Sequence, residues 1–159
     1  MYYTDHIQNT AVLSKRLNVP IAIGIGDEEL VDDNTLQSMY GRGAMGKILC
    51  YFSQKAIKSN PIEKFKPTIF LKDGDSLERF GIKGKILGIP GHTKGSIGID
   101  VKQRDLFVGD SLMNMLNPTL SLLYENKMQL ELSASKISDL GNRVIHFGHG
   151  KSVQNRKWI

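Results

Sequence analysis

Short apolar runs alternate along this chain with stretches in which apolar residues recur at helical spacing, and that alternation predicts a layered α/β domain. After Asp5-His6, the positions Ile7, Ala11, Val12 and Leu17 recur near the helical period. Asp5 suits the N-terminal end of that helix, which should stop before Pro20. The run from Val19 to Ile25 reads as a buried strand, and Asp27 is placed to cap a short helix beginning at Glu28. Further on, Ile48, Phe52 and Ala56 share one face of a predicted helix that follows a loop containing Gly41, Gly43 and Gly46.

The downstream half is more regular. Pro67 to Leu71 predicts a strand that turns at Asp73-Gly74, and Lys85 to Ile89, Ser96 to Val101 and Asp105 to Val108 predict others. Asn126 to Leu140 predicts a helix closed by Gly141, and Arg143 to Phe147 a last strand leading into Gly148-His149-Gly150. Lys151 to Ile159 reads as a polar tail with Trp158 as its anchor. With no internal repeat or low-complexity tract, residues 1–159 are expected to form a single domain.

Composition narrows the class. At 159 residues, 40% hydrophobic and 23% charged, the chain is neither disordered nor collagen-like. A domain of this size buries about 70% of the surface its unfolded chain exposes, so a metal here serves chemistry more than folding. The lone Cys50 forms no internal disulfide and sits in the apolar run Ile48 to Phe52, which suits a buried thiol and a reducing, cytoplasmic setting. No stretch reaches the roughly 18 apolar residues a membrane span requires, and the N-terminus has no signal-peptide pattern. The net charge of +5 is compatible with an anionic substrate or with ordinary solubility. The spacing Gly41-x-Gly43-x-x-Gly46 matches a dinucleotide fingerprint, but no good strand precedes it and no suitably spaced acid follows, so it reads as a loop. Asp27, Glu28 and Glu29 read as a solvated helix start. Lys83, Lys85 and Lys94 read as surface charge that can also draw an anion toward His92. Met113, Met115, Leu116, Leu120, Leu122 and Leu123 read as core, or as one wall of an apolar pocket. His146 reads as structural.

The chemistry concentrates in Asp5-His6, Gly91-His92-Thr93, Gly109-Asp110-Ser111 and Gly148-His149-Gly150, each a potential metal ligand near a strand end or turn. Imidazole and carboxylate suit zinc, and flanking glycines let the backbone turn sharply beside an ion or substrate. Loops at the carboxyl ends of strands tolerate polar groups that a core does not.

Together with Ile89-Pro90-Gly91-His92-Thr93-Lys94-Gly95-Ser96 and Leu106-Phe107-Val108-Gly109-Asp110-Ser111, these segments resemble the metallo-β-lactamase superfamily. They look more like its glyoxalase-II-like hydrolases than its lactamases. The resemblance implies an αββα sandwich, a site of one or two metals at one edge of the sheets, and hydrolysis by metal-activated water. It places the family's His-x-His-x-Asp-His motif on Met1 to His6, where Asp5 and His6 match but Met1 and Tyr3 replace the first two histidines. It implies metal ligands at Asp5, His6, His92, Asp110 and His149. His92 and Asp110 are all that remain for the first metal, whereas Asp5, His6, His149 and the bridging Asp110 would complete the second. A phenol with an ordinary pKa near ~10 ligates poorly at neutral pH, so one well-held ion is expected, zinc first and iron or manganese as alternatives.

Under this reading Asp5 or Asp110 orients a water and takes its proton, while His92 donates to the developing oxyanion. The substrate class is an ester, thioester, lactone, amide or phosphodiester of a small molecule. Two other readings stand beside it: a catalytically impaired remnant or binding module, and an RNA-processing nuclease of the same superfamily. The nuclease reading has no strip of interleaved aromatic and basic residues behind it, so nucleic acid is not the expected partner. Family domains begin with several strands upstream of the Asp-His motif. An N-terminally truncated sandwich is therefore expected, with a homo-oligomer covering the missing sheet edge.

Overall fold

The fold is described from a computed structural model covering residues 6–59 and 63–159. In chain order its elements are α1 (Thr10–Leu17), β1 (Ala22–Gly24), α2 (Glu28–Asp32), β2 (Tyr40–Gly41), α3 (Gly43–Ser59), β3 (Ile69–Leu71) and β4 (Gly84–Gly88). There follow β5 (Ile97–Val101), β6 (Asp105–Gly109), β7 (Leu112–Met113), β8 (Thr119–Leu120), β9 (Leu123–Tyr124), α4 (Lys127–Asp139), β10 (Val144–Phe147) and β11 (Val153–Gln154). The main sheet has five strands in the order β11-β10-β6-β5-β4, and β1 pairs in parallel with β3 in a separate two-stranded sheet.

Alternation in the strand sequences sets the layers. Leu106 and Val108 of β6 and Ile145 of β10 point to one face, where they pack with Ile89 and with Leu130, Ala134 and Ile137 of α4. Each large aliphatic side chain buried there contributes about 1.5–3 kcal/mol. Asn126 caps α4 by accepting the Gln129 N–H at 3.1 Å, and Gly141 follows the helix at φ +70°, a conformation that favours glycine. Trp158 joins this core, with its ring edge-on to Phe147 and its Nε1–H donating to Asn155 Oδ1 at 2.9 Å.

The opposite face is covered unevenly. Over β4 and β5, Ile86, Ile97 and Ile99 pack against Ile69 and Leu71 of β3. Among the described residues that cover does not extend over β6 and β10, and Phe107 is 47% exposed and stacked on His146 at 4.6 Å. His146 is also held by Asp105 Oδ1 at 3.0 Å and Ser152 Oγ at 2.8 Å, which makes it a tie between β6, β10 and the turn into β11.

Several expectations need correcting. The strand expected over Val19–Ile25 is only Ala22–Gly24, with Val19 and Ile25 about half exposed, because its one strand partner among the described residues is the equally short β3. On α3 the face of Ile48 and Phe52 is exposed, and Ser53 and Ile57 with Leu49 and Cys50 face inward instead. The glycines ahead of it are not a loose loop, since Gly41 lies in β2, paired to β9, and Gly46 lies within α3. A Cβ on Gly46 would meet Leu122 O at 2.7 Å, so close packing requires that glycine. Leu112, Met113, Leu120 and Leu123 are core, whereas Met115 and Leu116 are exposed. The polar tail contains β11 on the sheet edge. Among the described residues no helix is long and apolar enough to cross a membrane.

Candidate metal centre

Strand direction brings the chemistry to one edge. β10 is parallel to β6, and β4 reaches the same orientation through two antiparallel pairings, so the loops after all three strands emerge together. These loops carry His92 after β4, Asp110 after β6 and His149 after β10. A register shift between His146 and Phe147 pairs Phe147 with Gly109, and the Gly148 N–H then donates to Gly109 O at 2.9 Å. Asp110 and His149 are thereby drawn side by side.

His6 approaches from the N-terminal side. Its Nε2 lies 3.1 Å from Asp110 Oδ2 and 3.2 Å from His149 Nε2, and His149 Nε2 lies 3.5 Å from Asp110 Oδ1. The ligating atoms of His6, Asp110 and His149 all fall within 4.8 Å of one another. The Asp110 side chain is only 4% exposed, and its buried Oδ1 has no hydrogen-bond partner among the described residues. Burial by itself raises this carboxyl's pKa, but the His6 hydrogen bond and the neighbouring His92, His6 and His149 outweigh burial and hold it below the ordinary carboxylate range.

Two imidazole nitrogens and a carboxylate with an unmatched buried oxygen form a donor set that fits a divalent cation. Such an ion would turn the crowding of two Nε2 atoms at 3.2 Å into shared ligation.

His92 stands apart from this cluster. It is buried and lines the adjoining cavity of about 270 Å³ together with His6, Asp110, Asp27, Gly24 and Val108. Its Nδ1–H donates to Leu123 O at 2.9 Å, which leaves Nε2 as the nitrogen available for chemistry. Gly91, at φ +131°, permits this placement because a Cβ there would run into the backbone of Leu130 in α4. Asp5, the remaining site residue read from the sequence, lies outside the described residues, as do Met1 and Tyr3.

Asp27 is not the solvated helix cap that the sequence predicts. It precedes α2 but makes no side-chain cap, and it is 6% exposed. Its Oδ1 accepts the Gly95 N–H and its Oδ2 the Thr93 hydroxyl, each at 2.7 Å, which secures the turn that carries His92. Lys94 pairs with Glu125 at 3.6 Å, while Lys83 and Lys85 lie at the start of β4 and His92 follows its end.

The sequence matches the metallo-β-lactamase superfamily over residues 4–149. No curated protein matches the chain. Among solved structures, the B3 metallo-β-lactamase BLEG-1 aligns with a TM-score of 0.72 at 21% identity, over 94% of this chain and 66% of its own. TTHA1623, solved in a di-iron-bound form, aligns with a TM-score of 0.67 at 17% identity, over 98% of this chain and 72% of its own. The archaeal superfamily protein ST1585 from Sulfolobus tokodaii aligns with a TM-score of 0.60 at 15% identity, over 92% of this chain and 58% of its own. The chain thus spans about two thirds of the length of these structures. Identities this low speak for the fold, whereas the sequence match covers nearly the whole chain, so this protein belongs to the metallo-β-lactamase superfamily.

Proposed function

We propose that this chain is a metal-dependent hydrolase acting on an ester, thioester, lactone or related bond of a small molecule. The observation that carries this reading is the convergence of His6, Asp110 and His149 around a buried carboxylate oxygen that has no hydrogen-bond partner among the described residues. These residues would hold one ion, zinc by donor type, with iron or manganese accepted by the same set. The bound metal supplies Lewis acidity toward a carbonyl oxygen and acidifies water toward a pKa near ~7.

The chain supplies the rest. Asp110 would orient a water beside the ion through whichever carboxylate oxygen the ion leaves free. With Nδ1–H committed to Leu123 O, the neutral His92 ring presents a lone pair at Nε2, an acceptor toward substrate or metal and not the oxyanion donor expected from the sequence. Val108 and Gly24 line the same cavity beside the polar Thr93, Ser96 and Ser111. Asp5 remains proposed as a fourth ligand and water-orienting carboxylate on the motif match alone.

In a titration read by elemental analysis and anomalous scattering, one equivalent of zinc is expected to bind at His6, Asp110 and His149. Turnover of chromogenic ester and thioester panels should require that ion and stop with chelator. Two fully occupied ions, or chelator-resistant turnover, would overturn this proposal. A bound ion with no turnover across the panels would favour the catalytically impaired reading.

We also propose that a second copy of the chain covers the bare part of the sheet. Phe107 is 47% exposed beside His146, and β1 pairs only with β3 among the described residues, an arrangement of free edge and apolar face that favours association. Light scattering is expected to give a dimer mass, and a monomer at high concentration would refute it. The single Cys50, whose Sγ–H donates to Met39 O at 3.2 Å, suits a reducing cytoplasmic setting.

A further inference from the structure

We propose that Asp27 is a positioning residue for the catalytic edge, its buried carboxylate fixing the turn from His92 to Ser96 so that the His92 ring is held against the cavity it shares with His6 and Asp110. The inference rests on the reading above of that edge as a hydrolytic site.

The hydrogen bonds form a closed set. Asp27 Oδ1 takes the Gly95 N–H at 2.7 Å and Oδ2 takes the Thr93 hydroxyl proton at 2.7 Å. Thr93 Oγ1 has then spent its only proton, so its 2.7 Å contact with Ser96 Oγ must be donated by Ser96. Ser96 Oγ in turn accepts the Thr93 N–H at 2.9 Å. The turn is thus bonded to itself and, through one side chain, to the start of α2.

Packing enforces the same alignment. A Cβ on Gly95 would lie 2.7 Å from Asp27 Cγ, and a Cβ on Gly24 would run into Gly95 O, so both glycines are needed for the close approach. On its other side His92 is held by Leu123 O, and Gly91 O accepts the N–H groups of Glu125 and Asn126 at 2.8 and 3.0 Å. The β9 side therefore fixes the ring nitrogen, and Asp27 fixes the backbone that carries the ring.

An acid at a helix start has a cheaper use, which is to cap the helix from solvent. Here the carboxylate is buried instead, and burial raises its pKa against the two hydrogen bonds that lower it. Burying a charge is costly unless it is fully bonded, and both oxygens are bonded to the turn that bears His92.

The test uses the whole 159-residue chain with one equivalent of zinc, comparing wild type with Asp27→Ala and the isosteric Asp27→Asn. The readouts are long-range proton–nitrogen spectra of the imidazoles, amide exchange at Gly95, and zinc affinity by chelator competition. In Asp27→Ala the His92 ring signals are expected to shift and Gly95 exchange to rise at least tenfold, with His146 unmoved and zinc affinity within about threefold of wild type. Asp27→Asn keeps an acceptor for Gly95 and should restore part of the His92 signal and most of the protection. Unchanged His92 signals in both variants, or a lowered melting temperature with His92 unmoved, would overturn the positioning role. Failure of wild type to bind zinc would instead refute the hydrolase reading, so the two failures are separable.

Discussion

Replacing Asp110 by alanine is expected to weaken zinc binding by two orders of magnitude or more and to abolish metal-dependent turnover. The carboxylate contributes one oxygen 3.1 Å from His6 Nε2 and another 3.5 Å from His149 Nε2, and its side chain is only 4% exposed, so no water readily takes its place. Loss of a side chain that only orients a metal ligand typically costs about 10–100-fold in affinity, and loss of a ligand itself should cost at least the upper end of that range. A thermal readout avoids dependence on substrate choice, because zinc at a hundredfold excess over its dissociation constant stabilises a binding-competent protein by about 2.7 kcal/mol. Wild type should therefore melt higher with zinc, and Asp110→Ala should melt at one temperature with or without it. An undiminished zinc shift in Asp110→Ala would remove Asp110 from the metal site and the proposed mechanism with it.

Much of the fold was legible because its signals are local. The strands β4, β5, β6 and β10 and helix α4 fall within a residue or two of the expected spans, since alternation, Asn126 and Gly141 mark them in the sequence itself. Helix α3 was located, but its inward face was not. Ile48, Phe52 and Ala56 share one side and Leu49, Ser53 and Ile57 another, and only the neighbours in β2 and β9 decide which is buried. The pairs β2–β9 and β7–β8 are two residues per strand, too short to leave a periodic trace. At the site, His6, Asp110 and His149 could be singled out because each stands beside a turn or helix start. Asp27 could not, because its partners Thr93 and Gly95 are 66 and 68 positions away and a local reading offers only helix capping. The same limit applies to His92, whose separation from the three-residue cluster depends on Leu123 O, 31 positions downstream.

Gly148→Ala is expected to cost the metal site far more than it costs the fold. Gly148 is exposed and its φ is not in the left-handed region, so alanine suits the backbone there and brings no conformational strain of its own. Its Cβ would nevertheless lie 2.5 Å from Asp110 Oδ1 and 2.7 Å from His6 Cε1, well inside ordinary contact distance. Both atoms belong to residues of the cluster, so relief of the clash must move a carboxylate or an imidazole away from the common centre. A disturbance of this order around metal ligands typically costs about 10–100-fold in affinity. Gly141→Ala is the matched control. At φ +70° with nothing within 4 Å of its Cβ, Gly141 carries only backbone strain, and its replacement should lower stability by about 1–2 kcal/mol and leave zinc binding unchanged. Melting temperature and zinc affinity should therefore separate the two variants in opposite directions. If Gly148→Ala binds zinc as wild type does, the space beside Asp110 and His6 is not the metal's, and the ion must be sought elsewhere.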